Sequence, residues 1–253
     1  MTRPYPHRPD LAFAERRVVH VTQQVARARA TVARVGVADL GVVNAGLDGM
    51  WEALAWGWLL EHPLDELTAL VPQGAALVRS GLDAPHGRPV ELADVERWVA
   101  TALLAGDDDA AERVGALAVP PPAQEADWLP VTLGALVRGD DAAAVDGAAR
   151  LRDAAAAPGT APAVAAGLAH LGDLADAVVR RDQSALDDAL VARAAAIATT
   201  HATTANRRRW TGVLDRPSTG LAIAGVRRGL VVPAGVATVP GELVAAAGAG
   251  GAP

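Results

Sequence analysis

The sequence lacks cysteine and lysine altogether and contains few aromatic residues. Without cysteine it has no disulfide framework and no thiolate that could serve as a metal ligand or nucleophile. Without lysine, its positive charge at neutral pH comes from arginine, which stays ionised. Aromatic residues make up 3% of the chain, whereas alanine accounts for 59 of the 253 residues. Because alanine favours helices and fills little volume, we expect a core of closely approaching helices.

Targeting signals are also missing from the sequence. The first nine residues, Met1 to Pro9, contain no apolar core of the kind found in a signal peptide. No window of about 18 uncharged apolar residues indicates a transmembrane helix. These features predict a cytoplasmic protein that does not use a membrane as a partner.

Apolar residues spaced three and four apart indicate helices in the first 90 residues. In the first helix, Asp10 is the predicted N-cap and Gly36 the predicted end. Its apolar stripe consists of Leu11, Ala14, Val18, Val21, Val25, Ala28, Val32 and Val35. A second helix is predicted from Asp39 to His62, where Pro63 stops it, and a third segment is predicted to break at Pro72.

A sequence pattern that predicts a helix, a tight turn and a second helix then recurs along the chain. Its turns are Gly106-Asp107, Gly139-Asp140 and Arg181-Asp182, so that the three aspartates stand 33 and 42 residues apart. Glycine suits the left-handed residue that ends one helix, and aspartate suits the cap of the next. We therefore predict an all-α fold of antiparallel helix hairpins, stacked in an irregular tetratricopeptide-like array.

The domain organisation follows from these helices. Residues 1–90 form an N-terminal helical part, and residues 91–244 form the hairpin part, which continues the same domain. Within the second part, Arg216-Pro217 and Pro240 each open a further helix. The Ala/Gly-rich stretch 245–253 is predicted to be a flexible tail.

Few side chains are arranged for chemistry. The six histidines are not spaced as metal ligands, and no catalytic or nucleotide-binding motif is present, so we expect no enzyme activity, metal or cofactor. The acidic clusters Asp107-Asp108-Asp109 and Asp140-Asp141 are compatible with an acid/base pair or a Mg²⁺ site. Because acids are also favoured at helix N-termini, capping explains them without a reaction.

Charge is distributed unevenly along the chain. Residues 1–36 carry a net charge of +5, residues 37–206 of −15, and residues 207–253 of +4. An acidic middle repels nucleic acid and attracts a basic protein partner. Two stretches are basic: Arg207-Arg208-Arg209-Trp210 and the outer face of the first helix. Such a stretch could bind phosphate and stack a base, or it could be a solvated polar face. For the first helix we favour the solvated face.

Four segments of the second half resemble an all-helical family, the immunity proteins, family 49, of bacterial polymorphic toxin systems. The segments are Trp98 to Pro120, Trp128 to Asp140, Arg180 to His201 and Gly220 to Leu243. The sequence departs from the family pattern at Ala202-Thr203, where an aromatic pair is expected. It departs again at Val236-Ala237-Thr238, where Ser-Asp-Tyr is expected.

The resemblance implies a non-catalytic protein that binds and blocks a cognate toxin. The charge distribution suggests that the toxin is basic, as a nuclease would be. As contact residues we predict Trp210, with packing under the last helix as the alternative, and the acids Asp107, Asp108, Asp109, Asp140 and Asp141. The alternative function is a helical-repeat scaffold that binds a partner protein or peptide in a concave groove.

Overall fold

A computed structural model describes residues 9–117, 122, 127–203 and 206–249. Met1 to Arg8 and the last four residues of the predicted tail lie outside the described residues, so the prediction about a signal peptide is not addressed. The helices are α1 (Leu11–Val35), α2 (Leu40–Leu59), α3 (Leu64–Thr68), α4 (Val71–Asp83), α5 (Leu92–Leu104), α6 (Asp108–Gly115), α7 (Trp128–Val137), α8 (Asp141–Ala156), α9 (Pro162–Arg180), α10 (Gln183–His201), α11 (Arg216–Val226) and α12 (Gly241–Ala249).

The prediction of an all-α fold is confirmed. Extended structure within the described residues is limited to β1 (Ala38–Asp39) and β2 (Pro85–His86), which pair in parallel. The first helix has the predicted boundaries. The Asp10 carboxylate accepts a hydrogen bond from the Phe13 backbone N–H at 2.9 Å, and Gly36 ends the helix in the left-handed conformation with φ of 74°.

All three predicted turns are present, and their hydrogen bonds are equivalent. In the first, the Gly106 N–H donates to the Leu103 carbonyl, and the Asp107 N–H donates to the Ala102 carbonyl. The second and third turns repeat both bonds around Gly139 and Arg181. Arg181 takes the left-handed conformation with φ of 54°, the role that glycine fills in the other two turns. The aspartate that follows each of the three caps the next helix.

The helices after these turns fold back on those before them, giving the pairs α5–α6, α7–α8 and α9–α10. The first helices of the pairs contact one another, α5 against α7 and α7 against α9, and α11 packs on all three. Glycine permits this close approach: a Cβ on Gly220 of α11 would lie 3.3 Å from the Ala100 Cβ on α5. The tetratricopeptide-like description of the whole arrangement stays an interpretation.

Buried contacts cross the predicted boundary at residue 90. Asn44 of α2 donates a hydrogen bond to Asp94 of α5 at 2.7 Å, and the Trp51 indole donates to Thr101 at 2.9 Å. Because both interactions are buried, residues on either side of position 90 share one core.

Three local predictions need correction. The predicted flexible tail begins too early, because residues 245–249 continue α12 and Ala247 is buried; alanine favours the helix and packs there. The predicted break of the third segment is present but lies slightly before Pro72, between Thr68 of α3 and Val71 of α4; Pro72 itself is in the first turn of α4, where its missing N–H leaves no hydrogen bond unmade. Leu11 and Val35, at the two ends of the apolar stripe of α1, are exposed, because the neighbouring helices cover only its middle.

One helix among the described residues, α9, is long and apolar enough to cross a membrane. Several of its apolar side chains, including Leu171, Leu174 and Val178, are buried against neighbouring helices, whereas Val164 is exposed. It also carries buried Asp176, which is bound by Arg152 and Arg180. A buried core helix passes the same test of length and composition.

Candidate functional site

The predicted contact acids lie at two hairpin turns, where most of them are bound within the chain. Asp107 and Asp140 cap α6 and α8 by accepting hydrogen bonds from backbone N–H groups at 3.1 and 3.0 Å. Asp107 also receives two hydrogen bonds of 2.6 Å from the Arg79 guanidinium. The Asp107 carboxylate is therefore satisfied by the fold itself, whereas Asp140 caps its helix and is otherwise exposed.

Asp108 and Asp141 are bound by the consecutive arginines at the end of α11. Arg227 pairs with Asp108 and donates to the Leu103 carbonyl at 3.1 Å. Arg228 pairs with Asp141 at 2.7 Å and donates to the Leu136 carbonyl at 3.1 Å. The two carboxylates occupy equivalent positions, each two residues after the left-handed glycine, and so do the two carbonyls.

The third turn meets the same region through an amide. Gln183, two residues after Arg181, exchanges two hydrogen bonds with the backbone of Val231, at 2.7 and 2.9 Å. The three turns are thus gathered around the segment that follows α11. Asp109 is exposed, with 67% of its side chain accessible, and it lies 3.8 Å from Arg79 and 3.9 Å from Arg113.

A cavity of about 190 Å³ lies between these groups and is lined by Asp108, Glu112, Arg227 and Arg228 among others. The Nε of Arg227 is buried there without a hydrogen-bond partner. Burial lowers the pKa of Arg227, and its pairing with Asp108 offsets that effect only in part. Each arginine already binds a carboxylate and a carbonyl of the chain. We therefore interpret the cavity as part of the contact between α11 and the hairpin turns, and not as a ligand site.

Trp210, the predicted aromatic contact, is half-buried rather than fully exposed. It begins a short 3-10 helix (Trp210–Gly212) that packs beside α2, and its ring lies against the core. The guanidinium of Arg216 lies 5.9 Å from the centre of its ring. This position is closer to the packing alternative than to a free contact residue.

Sequence reasoning missed a buried polar network that joins α2, α5 and α11. Arg216 binds Glu96 through both carboxylate oxygens, the shortest distance being 2.7 Å, and reaches Asp48 at 3.2 Å. Arg97 also binds Asp48, at 2.8 Å. No sequence signal identified these pairs, because the partners are up to 168 residues apart.

Asp94 is the most deeply buried acid of this network. Burial alone would raise its pKa, but hydrogen bonds from Arg88 and the Glu91 backbone N–H outweigh that effect. Together with the charges of Arg88 and Arg97 they hold the pKa of Asp94 below its ordinary value. This carboxylate therefore stays ionised and bound, which is the state of a structural residue rather than of a proton donor.

Another open acidic site lies between α9 and α10. A cleft of about 380 Å³ is lined by His170, Asp173, Asp176 and Asp188, with Arg180 at one side. Asp173 is half-exposed and pairs with Arg152 at 3.4 Å, whereas Asp188 is exposed with no ion-pair partner in the described part of the chain. On the next turn of α10, Val191 is 60% exposed. We call Asp173, Asp188 and Val191 the acidic face.

Within the described ranges, no three histidine, aspartate or glutamate side chains are grouped so that they could hold a metal ion. Comparison with protein-family models, curated protein sequences and solved structures finds no match to this chain.

Proposed function

We propose that this chain is a non-catalytic, immunity-type protein that binds a basic protein partner through its acidic face. The observation that carries the proposal is the combination of an exposed apolar side chain, Val191, with aspartates on either side of a cleft. Protein interfaces commonly have an apolar centre and a polar rim. The exposed aspartates would also attract a positively charged partner and raise its association rate.

The resemblance in the hairpin region suggests which partner this is. Immunity proteins of the resembled family bind a cognate toxin, and a nuclease domain presents the basic surface that the acidic face requires. Blocking would be steric, since the buried acids Asp94, Glu96 and Asp215 are bound by arginine and are not free to act on a substrate.

The scaffold alternative is less favoured because the chain fills its own groove. The first helices α5, α7 and α9 form the side on which a hairpin array would bind a peptide. In this protein α11 packs on that side, and residues 218–225 of α11 are all buried. A peptide would have to displace this helix before binding there.

The test is co-expression with the toxin-like product of a neighbouring gene. The unchanged chain should rescue growth and form a complex that survives size-exclusion chromatography. The double change Asp173→Arg and Asp188→Arg should abolish both, because it reverses the charge of the acidic face.

The matched control changes Glu15→Arg and Asp65→Arg, two exposed acids of α1 and α3 that give the same change in net charge. This control should leave growth rescue and complex formation intact. If the unchanged chain neither rescues growth nor forms a complex, the immunity role is wrong. If both double variants behave alike, the acidic face is not the contact.

A further inference from the structure

The fold brings the two basic ends of the described chain together. The Asp10 backbone N–H donates to the Arg207 carbonyl at 3.3 Å, and the Arg208 guanidinium binds the Asp10 carboxylate at 2.9 Å. The same guanidinium lies 5.4 Å from the centre of the Phe13 ring. Residues 207–209 therefore lie beside the first turn of α1.

Three arginines of α1 continue this basic region along one face of the helix. Arg16, Arg27 and Arg34 are exposed, and at about 100° per residue they point within about 20° of one another. With a rise of about 1.5 Å per residue, the row from Arg16 to Arg34 is about 27 Å long. We call Arg16, Arg27, Arg34, Arg207 and Arg209 the basic face.

The arginines of the basic face differ from most others in the described part of the chain because none has a carboxylate at ion-pair distance, the charge of Asp10 acting on Arg16 from farther away. In the described part of the chain none of the five forms an ion pair, and Arg27 reaches only the Gln23 amide, at 3.5 Å. By contrast, Arg17, on the same helix, binds Glu52 at 2.6 Å. Because these charges are exposed and unpaired, a partner that places carboxylates beside them would gain electrostatic energy on binding.

We propose that the basic face is a docking surface for an acidic amphipathic helix of a partner protein. The exposed apolar Val19, 59% accessible, lies about 60° from the arginine row and gives such a helix an apolar contact. Helix-on-helix docking uses both an apolar contact and flanking charges. This surface and its partner are separate from the acidic face and do not depend on the proposed function.

Other occupants fit less well. A second copy of the chain docked through the same face would bring arginines against arginines, which repel. Nucleic acid would have to approach a chain with a net charge of −6, and the nearby Trp210 is half-buried beneath Arg216 instead of exposed for base stacking. An acidic protein helix uses both the arginines and Val19.

The test uses the full chain and two synthetic helical peptides of equal length. One carries a Leu/Ala seam flanked by glutamates, and the other has lysine at every glutamate position. By fluorescence anisotropy at about 20 mM salt, the acidic peptide should bind at least about tenfold more tightly than the basic one. Its affinity should fall as salt is raised to about 300 mM.

The decisive variant combines Arg16→Glu, Arg27→Glu and Arg34→Glu. It should lower the affinity for the acidic peptide at least about tenfold. The control is Arg29→Glu, which matches the single change Arg27→Glu in charge and alters an exposed arginine of the same helix that points about 140–160° away from the row. This control should leave the affinity within about twofold of the unchanged chain. If circular dichroism shows that the triple variant is unfolded, Arg27→Glu alone is compared with Arg29→Glu, and a larger loss at Arg27 is expected.

Equal binding of the two peptides, or equal losses in the row and control variants, would overturn the assignment. So would a single-stranded RNA of about 20 nucleotides that binds more tightly than the acidic peptide and is released by the triple change, since the face would then belong to nucleic acid.

Discussion

Replacing Arg216 with methionine should be among the most destabilising single changes in this protein. The side chain is 15% exposed and binds Glu96, which is 9% exposed, so the change leaves a buried carboxylate without its cation. Removing one partner of a buried pair costs about 3–5 kcal/mol, because the remaining charge is neither paired nor hydrated. We expect a loss of that size in the free energy of unfolding.

Arg228→Met is the matched control. Arg228 is similarly buried, at 14% exposure, but its partner Asp141 is 52% exposed and can regain water. The loss should be about 1–2 kcal/mol, mostly from the hydrogen bond to the Leu136 carbonyl. The assay is urea unfolding followed by circular dichroism at 222 nm. The variants are compared by their midpoints, provided that the slope of the unfolding free energy against urea concentration is the same for each.

The double change Arg216→Met and Glu96→Met separates two contributions to the stability loss. One is the lost attraction of the ion pair, and the other is the cost of leaving Glu96 buried without a cation. Since replacing both members of a buried pair by apolar residues is often nearly neutral, the double variant should regain most of the stability lost by Arg216→Met. A double variant no more stable than Arg216→Met, or an Arg216→Met loss no larger than that of Arg228→Met, would refute the reasoning.

Two further predictions concern the hairpin turns. Arg181→Gly should stabilise the protein by about 0.5–1 kcal/mol, because glycine adopts the left-handed conformation without the cost that a Cβ imposes. For the same reason Gly139→Ala should destabilise it by about 1 kcal/mol. Thermal unfolding measures both, and a lower midpoint for Arg181→Gly would contradict the strain argument. Asp140→Ala should cost about 0.5–2 kcal/mol through loss of the helix cap, and Asp107→Ala should cost more, because it also removes the partner of Arg79. Equal losses in urea unfolding would mean that the Arg79 pair contributes nothing measurable.

Local structure could be read from the sequence because its causes are local. The period of apolar residues placed the helices, and the caps fixed both ends of α1 at Asp10 and Gly36. The turn at Gly106 and its two successors could be predicted because a left-handed residue followed by a capping aspartate satisfies the hydrogen bonds of both helices.

The roles of the charged residues could not be determined in this way. Sequence assigned Asp108 and Asp141 to a surface that contacts a partner, whereas the fold places Arg227 and Arg228 against them from more than 80 residues away. Which carboxylate meets which arginine depends on how helices distant in sequence pack, and in this chain that packing depends on the small side chains of α11. The composition and periodicity of the sequence determined that the chain would be helical, whereas only the tertiary structure decided which charges are neutralised inside the protein and which, such as Arg27 and Asp188, are left facing solvent.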